Sequence, residues 1–314
     1  MTTQATKTTI DWLRVRVKAE PRDILQAMRP MFGRWGQYLH FGDNARGLFG
    51  FKHALPIQIA DSAVVGRMDF GGDSQRGWVQ VDLPGKGCQW VKDWDAVEQV
   101  EALPSAEPRR VDIALTTWEG EITHEMVKQA HQEGGFTTRG RPPNMQQIVN
   151  SDKHRGRTIY IGRRDGDKFV RAYEKGYELA SRMPVSQEYR EGIREIEGHR
   201  IEDIYRVELE LKAKGTELPW DVIQLRDQYF AGAYPFLGQI LPDVEPDILQ
   251  RRPERQPQTD LRAALENVRV QFGATLFTAL HAYHGDIGAV WDRIVGDKHN
   301  KALLEAGVLL VDHD

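Results

Sequence analysis

The sequence predicts an α+β protein with a large, curved antiparallel sheet, helices packed on the sheet's apolar face, and a small C-terminal helical segment. Three segments carry that prediction. Arg109 to Thr116 (RRVDIALT), Thr158 to Lys175 (TIYIGRRDGDKFVRAYEK) and Tyr205 to Lys212 (YRVELELK) alternate apolar and polar residues with the two-residue period of half-buried strands. The middle one folds back on itself, because Asp165-Gly166 is a hairpin turn signal between two β-rich runs. Stretches with helical spacing lie between the strands, a mixture expected of the α+β class.

The remaining elements follow in order. Thr9 to Val17 alternates as an opening strand, and Arg22 to Met31 has helical character after Pro21. Gly33 to Leu83 is rich in glycine, aromatic and β-branched residues and reads as several short strands joined by turns such as Gly71-Gly72-Asp73. Trp90 to Val100 and Thr123 to Gly134 read as helices, Gly135 to Asn150 as a basic loop containing Pro142-Pro143, and Arg182 to Ile201 as a further helix. Residues 1–241 are expected to form one domain, residues 242–259 a proline-rich, charged linker, and residues 260–314 a helical segment with Leu261, Leu265, Val268, Phe272, Leu276 and Leu280 at helical spacing. For that segment, a sheet cap and a small DNA-recognition or dimerisation module both remain open.

Strand alternation sorts the chemistry by face. On the hairpin, Phe169, Arg171, Tyr173 and Lys175 share one face, so Tyr173 sits between two cations. A phenol titrates near ~10 and needs positive charge, a base or a metal before it attacks phosphorus. Arg171, Lys175, Arg163 and Arg164 are the candidate cations, and Tyr160 and Tyr177 are the neighbouring tyrosines. Spacing alone also fits a half-buried strand tyrosine. On the last strand Tyr205, Val207, Leu209 and Leu211 point to the core, leaving Glu208 and Glu210 two residues apart on the other face, where carboxylates could hold a hard divalent cation. Asp112 is a mid-strand acid, disfavoured by strand propensity. Pairing with Arg110 or Arg206 would also account for it.

Taken in order, RRVDIAL, TIYIGRRDGDKFVRAYEKGYE, YRVELELKAKGTELPWDV and YFAGAYPFL resemble the transfer-type replication initiation factor family, which includes plasmid rolling-circle initiators, filamentous-phage replication proteins and relaxases of conjugative elements. LPWDV (Leu218 to Val222) and AGAYPFL (Ala231 to Leu237) are most similar to the filamentous-phage branch. The resemblance implies strand-specific nicking by metal-assisted transesterification with Mg²⁺ or Mn²⁺, a 5′-phosphotyrosyl intermediate and later rejoining of strands. It implies Tyr173 as nucleophile, Arg171 and Lys175 as electrostatic helpers, and Asp112 and Glu208 as metal-associated acids, with Glu210 a third candidate. Many members carry another Asp where this chain has Thr116. A relaxase with the same chemistry and a non-catalytic origin-binding repressor are the alternatives.

Composition fits a DNA-directed protein with local basic character. The chain has 314 residues and a formal net charge of −4, which argues against indiscriminate nucleic-acid binding. The stretch from Arg139 to Lys175 is basic, and Arg139, Arg141, Arg155, Arg157, Arg163, Arg164 and Lys168 are its candidate DNA contacts. The expected partner is origin DNA, single-stranded or extruded as a hairpin at the nick site. A host helicase and a second copy of the chain are further candidates. A single cysteine, Cys88, rules out a disulfide framework. The absence of an apolar run of spanning length sets the expectation of a protein acting in the cytoplasm of a bacterial host, with no membrane partner.

Overall fold

A computed structural model describes residues 7–60, 63–249, 261–300 and 303–304. The chain divides into two compact units, Met1–Arg251 and Arg252–Asp314.

The first unit is built on one antiparallel sheet of eleven strands. In chain order the strands are β1 Thr9–Val17, β2 Leu39–Phe41, β3 Ala45–Arg46, β4 His53–Ile59, β5 Ala63–Phe70, β6 Val79–Pro84, β7 Glu107–Thr117, β8 Met145–Val149, β9 Arg157–Gly162 and β10 Lys168–Tyr173. A separate two-stranded ribbon, β11 Glu195–Ile196 with β12 His199–Arg200, precedes the last sheet strand, β13 Tyr205–Lys212. The spatial order is β2-β4-β5-β6-β1-β7-β13-β10-β9-β8, with β3 paired to β4. The three strands singled out by alternation are therefore adjacent, and β1 joins them on the other side of β7.

Cross-strand partners share a face, so the register fixes which residues meet. Leu209 pairs with Ile113 on one side and Val170 on the other, and Val207 pairs with Leu115 and Ala172. These residues belong to one core together with Leu13 and Val15 of β1 and the buried faces of three helices, Ile24 and Leu25 of Pro21–Met28, Val127 and Ala130 of His124–Gln132, and Phe230 of Arg226–Ala233. The opposite face of the same strands carries the charged residues.

Several local expectations are corrected. Arg182 to Ile201 is not one helix. A helix at Lys175–Ser181 stops before Pro184, a second, Gln187–Gly192, is capped by the Ser186 hydroxyl, and the ribbon follows. Its turn places Glu197 and Gly198 at φ +53° and +87°, the doubly left-handed geometry of a tight hairpin, without the Asn-Gly pair that usually announces one. Within Gly135 to Asn150, Met145–Val149 is the edge strand β8, paired with β9. In Trp90 to Val100 helical structure begins only at Asp95, where the Asp93 carboxylate accepts the backbone N–H groups of Asp95 and Ala96. Residues 242–249, expected to open a linker, pack back on the first unit. Asp247 N–H donates to the Gln228 carbonyl, and Val244 and Leu249 lie against the core. The rest of the expected linker, residues 250–259, lies outside the described residues.

The second unit contains helices Leu261–Ala282 and Ile287–Ile294, the latter capped by Asp286. Leu265, Phe272, Phe277 and Trp291 are exposed. Among the described residues no helix is long and apolar enough to cross a membrane.

Candidate active site

Register brings Tyr173 and the acids together. Arg171 of β10 is opposite Glu208 of β13, Tyr173 is opposite Arg206, and Glu210 is opposite Asp112 of β7. Alternation placed these side chains on one face, and strand adjacency turns that shared face into contacts. The Tyr173 hydroxyl donates to Glu208 Oε1 at 2.6 Å, while Arg171 Nε donates to Glu208 Oε2 at 2.8 Å. Arg171 and Lys175 each lie 5.5 Å from the Tyr173 ring, and Lys175 Nζ is 3.4 Å from its hydroxyl. Lys175 is itself buried as the first residue of its helix and paired with Glu178 at 2.7 Å.

Asp112 and Glu208 are almost fully buried, and each acid of the group is held by a cation. Arg110 bridges Asp112 and Glu210 at 2.6 and 2.7 Å, and Lys212 also pairs with Glu210. Thr116, where relatives are expected to carry an acid, accepts a 2.8 Å hydrogen bond from Arg206 Nε and so positions a guanidinium beside Glu208.

Asp11 was not among the sequence candidates. It is the extra residue of a β-bulge, because Ile10 pairs with Ile113 and Trp12 with Asp112, leaving Asp11 without a partner in the ladder. A bulge re-aims a side chain, and here Asp11 joins the groove that holds Tyr173, 3.5 Å from Arg206. A Cβ on Gly85 would come within 2.7 Å of Asp11 Oδ1, so glycine there leaves room for the carboxylate. The sequence did hold a signal, since the buried residues Ile10 and Leu13 are three apart where strict alternation requires two.

The groove has a volume of about 550 Å³ and is lined by Asp11, Asp112, Tyr173, Lys175, Arg206 and Glu208, among others. Arg155, Arg157 and Tyr160 lie along its wall. Arg164 stacks over Tyr160 and Phe169 and lines a smaller adjoining pocket with Arg110, Glu210 and Lys212. Arg163 is on the hairpin turn, paired with Asp165, at the end of β9 away from Tyr173. Arg139 and Arg141 are exposed in the loop before β8. Lys168 is a correction. It pairs across the sheet with buried Leu211, and its ammonium donates to the Ala233 carbonyl at 2.8 Å, so it caps a helix on the core side instead of facing DNA.

Electrostatics depart from the simple expectation that nearby cations activate the phenol. Burial first, and the Glu208 carboxylate second, push Tyr173 above the ordinary tyrosine range, with Arg206 opposing. Burial pushes Asp112 up to about 6, against Arg110, with Glu210 and Glu208 adding to the rise. Burial and Glu208 also raise Asp11. Among the described residues no three of His, Cys, Asp and Glu are already gathered as a metal centre. The donor chemistry nonetheless suits a hard cation, because Asp11, Asp112 and Glu208 offer only oxygens and repel one another. Such an ion would replace contacts now made by arginines.

Residues 107–262 match the family model of the replication initiation factor, a span containing Asp112, Tyr173 and Glu208. That part of the chain belongs to the replication initiation factor family. A solved rolling circle replication initiator protein from Geobacillus stearothermophilus has a similar fold, with a TM-score of 0.53 at 18% identity, covering 79% of this chain and 99% of that one. Comparison with curated proteins gave no match. The family match supports replication initiation, and the solved structure shows the fold.

Proposed function

We propose that this initiator nicks one strand at its origin by tyrosine transesterification and later rejoins strands. The observation that carries the reading is the Tyr173 hydroxyl bonded to Glu208 in an open, cation-lined groove. Tyr173 Oη attacks the scissile phosphorus, forming a phosphotyrosyl bond as the P–O3′ bond breaks and leaves a 3′-hydroxyl. Glu208 is in place to accept the phenolic proton, and Lys175 and Arg171 flank the position where negative charge builds on the phosphoryl oxygens. Asp112, Glu208 and Asp11 would hold Mg²⁺ or Mn²⁺, with Glu210 beside them. When bound, that ion supplies Lewis-acid stabilisation of the phosphate and offsets the carboxylate charge that keeps the phenol protonated.

Arg155, Arg157 and Arg164 are suited to hold the DNA backbone along the groove, with Arg139, Arg141 and Arg163 further out, and phosphate contacts of this kind make binding fall steeply with salt. A scissile bond reaches both tyrosine and acids most easily when single-stranded or extruded. The filamentous-phage branch, action in the host cytoplasm, a host helicase and self-association belong to the same proposal.

The test is a denaturing gel for covalent protein–DNA adduct on supercoiled plasmid carrying the element's own origin, with Mn²⁺. Wild type forms the adduct; Tyr173→Phe and chelator-treated wild type do not. An adduct that survives Tyr173→Phe moves the nucleophile to Tyr160 or Tyr177. Specific origin binding by wild type with no nick would favour a repressor.

A further inference from the structure

The active-site face continues beyond Asp112 onto the N-terminal half of the sheet. There β1 sets Arg14 and Arg16 on one side at two-residue spacing, and Lys18 follows just past the strand's end. Each cation lies over an aromatic ring, Arg14 over Phe49 at 4.9 Å, Arg16 over Phe51 at 5.9 Å and Lys18 over Trp78 at 5.1 Å. Arg14 is opposite Arg110 of β7, so this row starts next to the catalytic acids. We propose that it is a binding track for single-stranded DNA flanking the nick, with Phe49 as a stacking platform for an unpaired base and Arg16 and Lys18 as phosphate contacts. The inference rests on the nicking reading and deepens it.

Two observations favour this occupant. Phe49 is 60% exposed yet held at φ +54°, a backbone conformation that bulky residues rarely adopt. Its loop is anchored on both sides. Gln75 donates to the Phe49 carbonyl, and Leu48 N–H donates to Asp69, a fully buried carboxylate clamped by Arg67. An exposed ring fixed in a strained position is presented to something.

Positive charge is in excess at the surface of the row. Asp82 and Asp69 are buried and held by Arg14 and Arg67, and Glu107, opposite Arg16, is paired with Arg109 at 3.2 Å, which leaves Arg16 and Lys18 as the outward cations. Burial and the neighbouring Arg109 and Arg14 cations push Arg16 downward, with Glu107 opposing. Cations interleaved with ring faces match the sequence-tolerant recognition of single strands.

The experiment is fluorescence anisotropy of the full chain with a labelled 20-nucleotide single strand and with the corresponding duplex, in chelator so that no cleavage occurs. Phe49→Ala is expected to weaken single-strand binding about 5- to 150-fold, Phe49→Trp to retain it, and duplex binding to stay unchanged in both. Arg16→Gln is expected to lower the slope of log K against log salt by about 0.7 for the single strand. Wild-type affinity in Phe49→Ala, or equal losses on single strand and duplex, would overturn the track, as would an unaltered salt slope in Arg16→Gln. Because binding is read without chemistry, failure of wild type to form a covalent adduct would sink the nicking reading and leave this result standing on its own.

Discussion

The Tyr173 hydroxyl donates a 2.6 Å hydrogen bond to one oxygen of Glu208, and Arg171 holds the other oxygen. The carboxylate thus orients the tyrosine and favours its protonated form at once, so one residue links the state of the phenol to whatever neutralises the acid. Glu208→Gln preserves the shape and removes both the proton acceptor and the charge. Adduct formation should slow by at least ~100-fold, the scale of a lost acid–base group, with origin binding unchanged in a mobility-shift titration. A wild-type rate of adduct formation in this variant would remove Glu208 from the chemistry.

Asp112 gives a pH-dependent prediction. Burial raises it from 3.8 to about 6, so the folded protein holds a proton that the unfolded chain has released across that window. Its contribution to stability is complete below pH 3.8 and is lost as pH rises through about 6. In chelator, Asp112→Asn should therefore be more stable than wild type by roughly 1–3 kcal/mol at neutral pH, with the difference narrowing in acid. Arg110 keeps Glu210 at 2.7 Å and is not left unpaired. Urea denaturation at both ends of the window measures this. A variant less stable than wild type at neutral pH would mean that the Arg110 pair outweighs the burial of charge. Adduct formation should be lost in the same variant, separating stability from activity.

Lys168 tests the distinction between a core cation and a DNA contact. Lys168→Met keeps the apolar stem and removes the hydrogen bond to the Ala233 carbonyl. It should cost about 1.5–3 kcal/mol of stability, the range for a hydrogen bond to a charged group. The salt dependence of DNA binding should stay as in wild type. A shallower salt slope would return Lys168 to the DNA surface.

Gly176 lets the helix that carries Lys175 approach the rest of the unit. A Cβ there would lie 2.1 Å from the Ile201 carbonyl oxygen, a backbone atom with no flexible end to swing away. Gly176→Ala should lose about 1–3 kcal/mol through overpacking and, by moving Lys175 from the Tyr173 hydroxyl, slow adduct formation. Urea midpoints and adduct time courses check the two effects separately. Wild-type values in both would show that Ile201 yields without consequence.

Much of the charged face that carries the candidate site was legible in the chain because a strand has a period of two. Alternation alone assigned Arg171 and Tyr173, Glu208 and Glu210, and Asp112 to polar faces and Val207, Leu209 and Leu211 to the core, and the structure agrees. The bulge that delivers Asp11 was visible only as a broken period. The helix expected across Arg182 to Ile201 failed because Pro184 and a left-handed Glu197-Gly198 turn divide it, and local turn chemistry outranks a weak helical pattern.

The sequence by itself determined the class of fold, the faces of its central strands and, through the ordered motifs, the resemblance to replication initiators. Tertiary structure decided the rest. Neighbouring strands had to be chosen before Glu208 could meet Tyr173, Lys168 had to be drawn to a helix end before its basic charge ceased to face DNA, and burial had to be complete before Asp112 and Tyr173 rose above their ordinary ranges. Periodicity is a local property of the chain, whereas register and desolvation are set by segments distant in sequence.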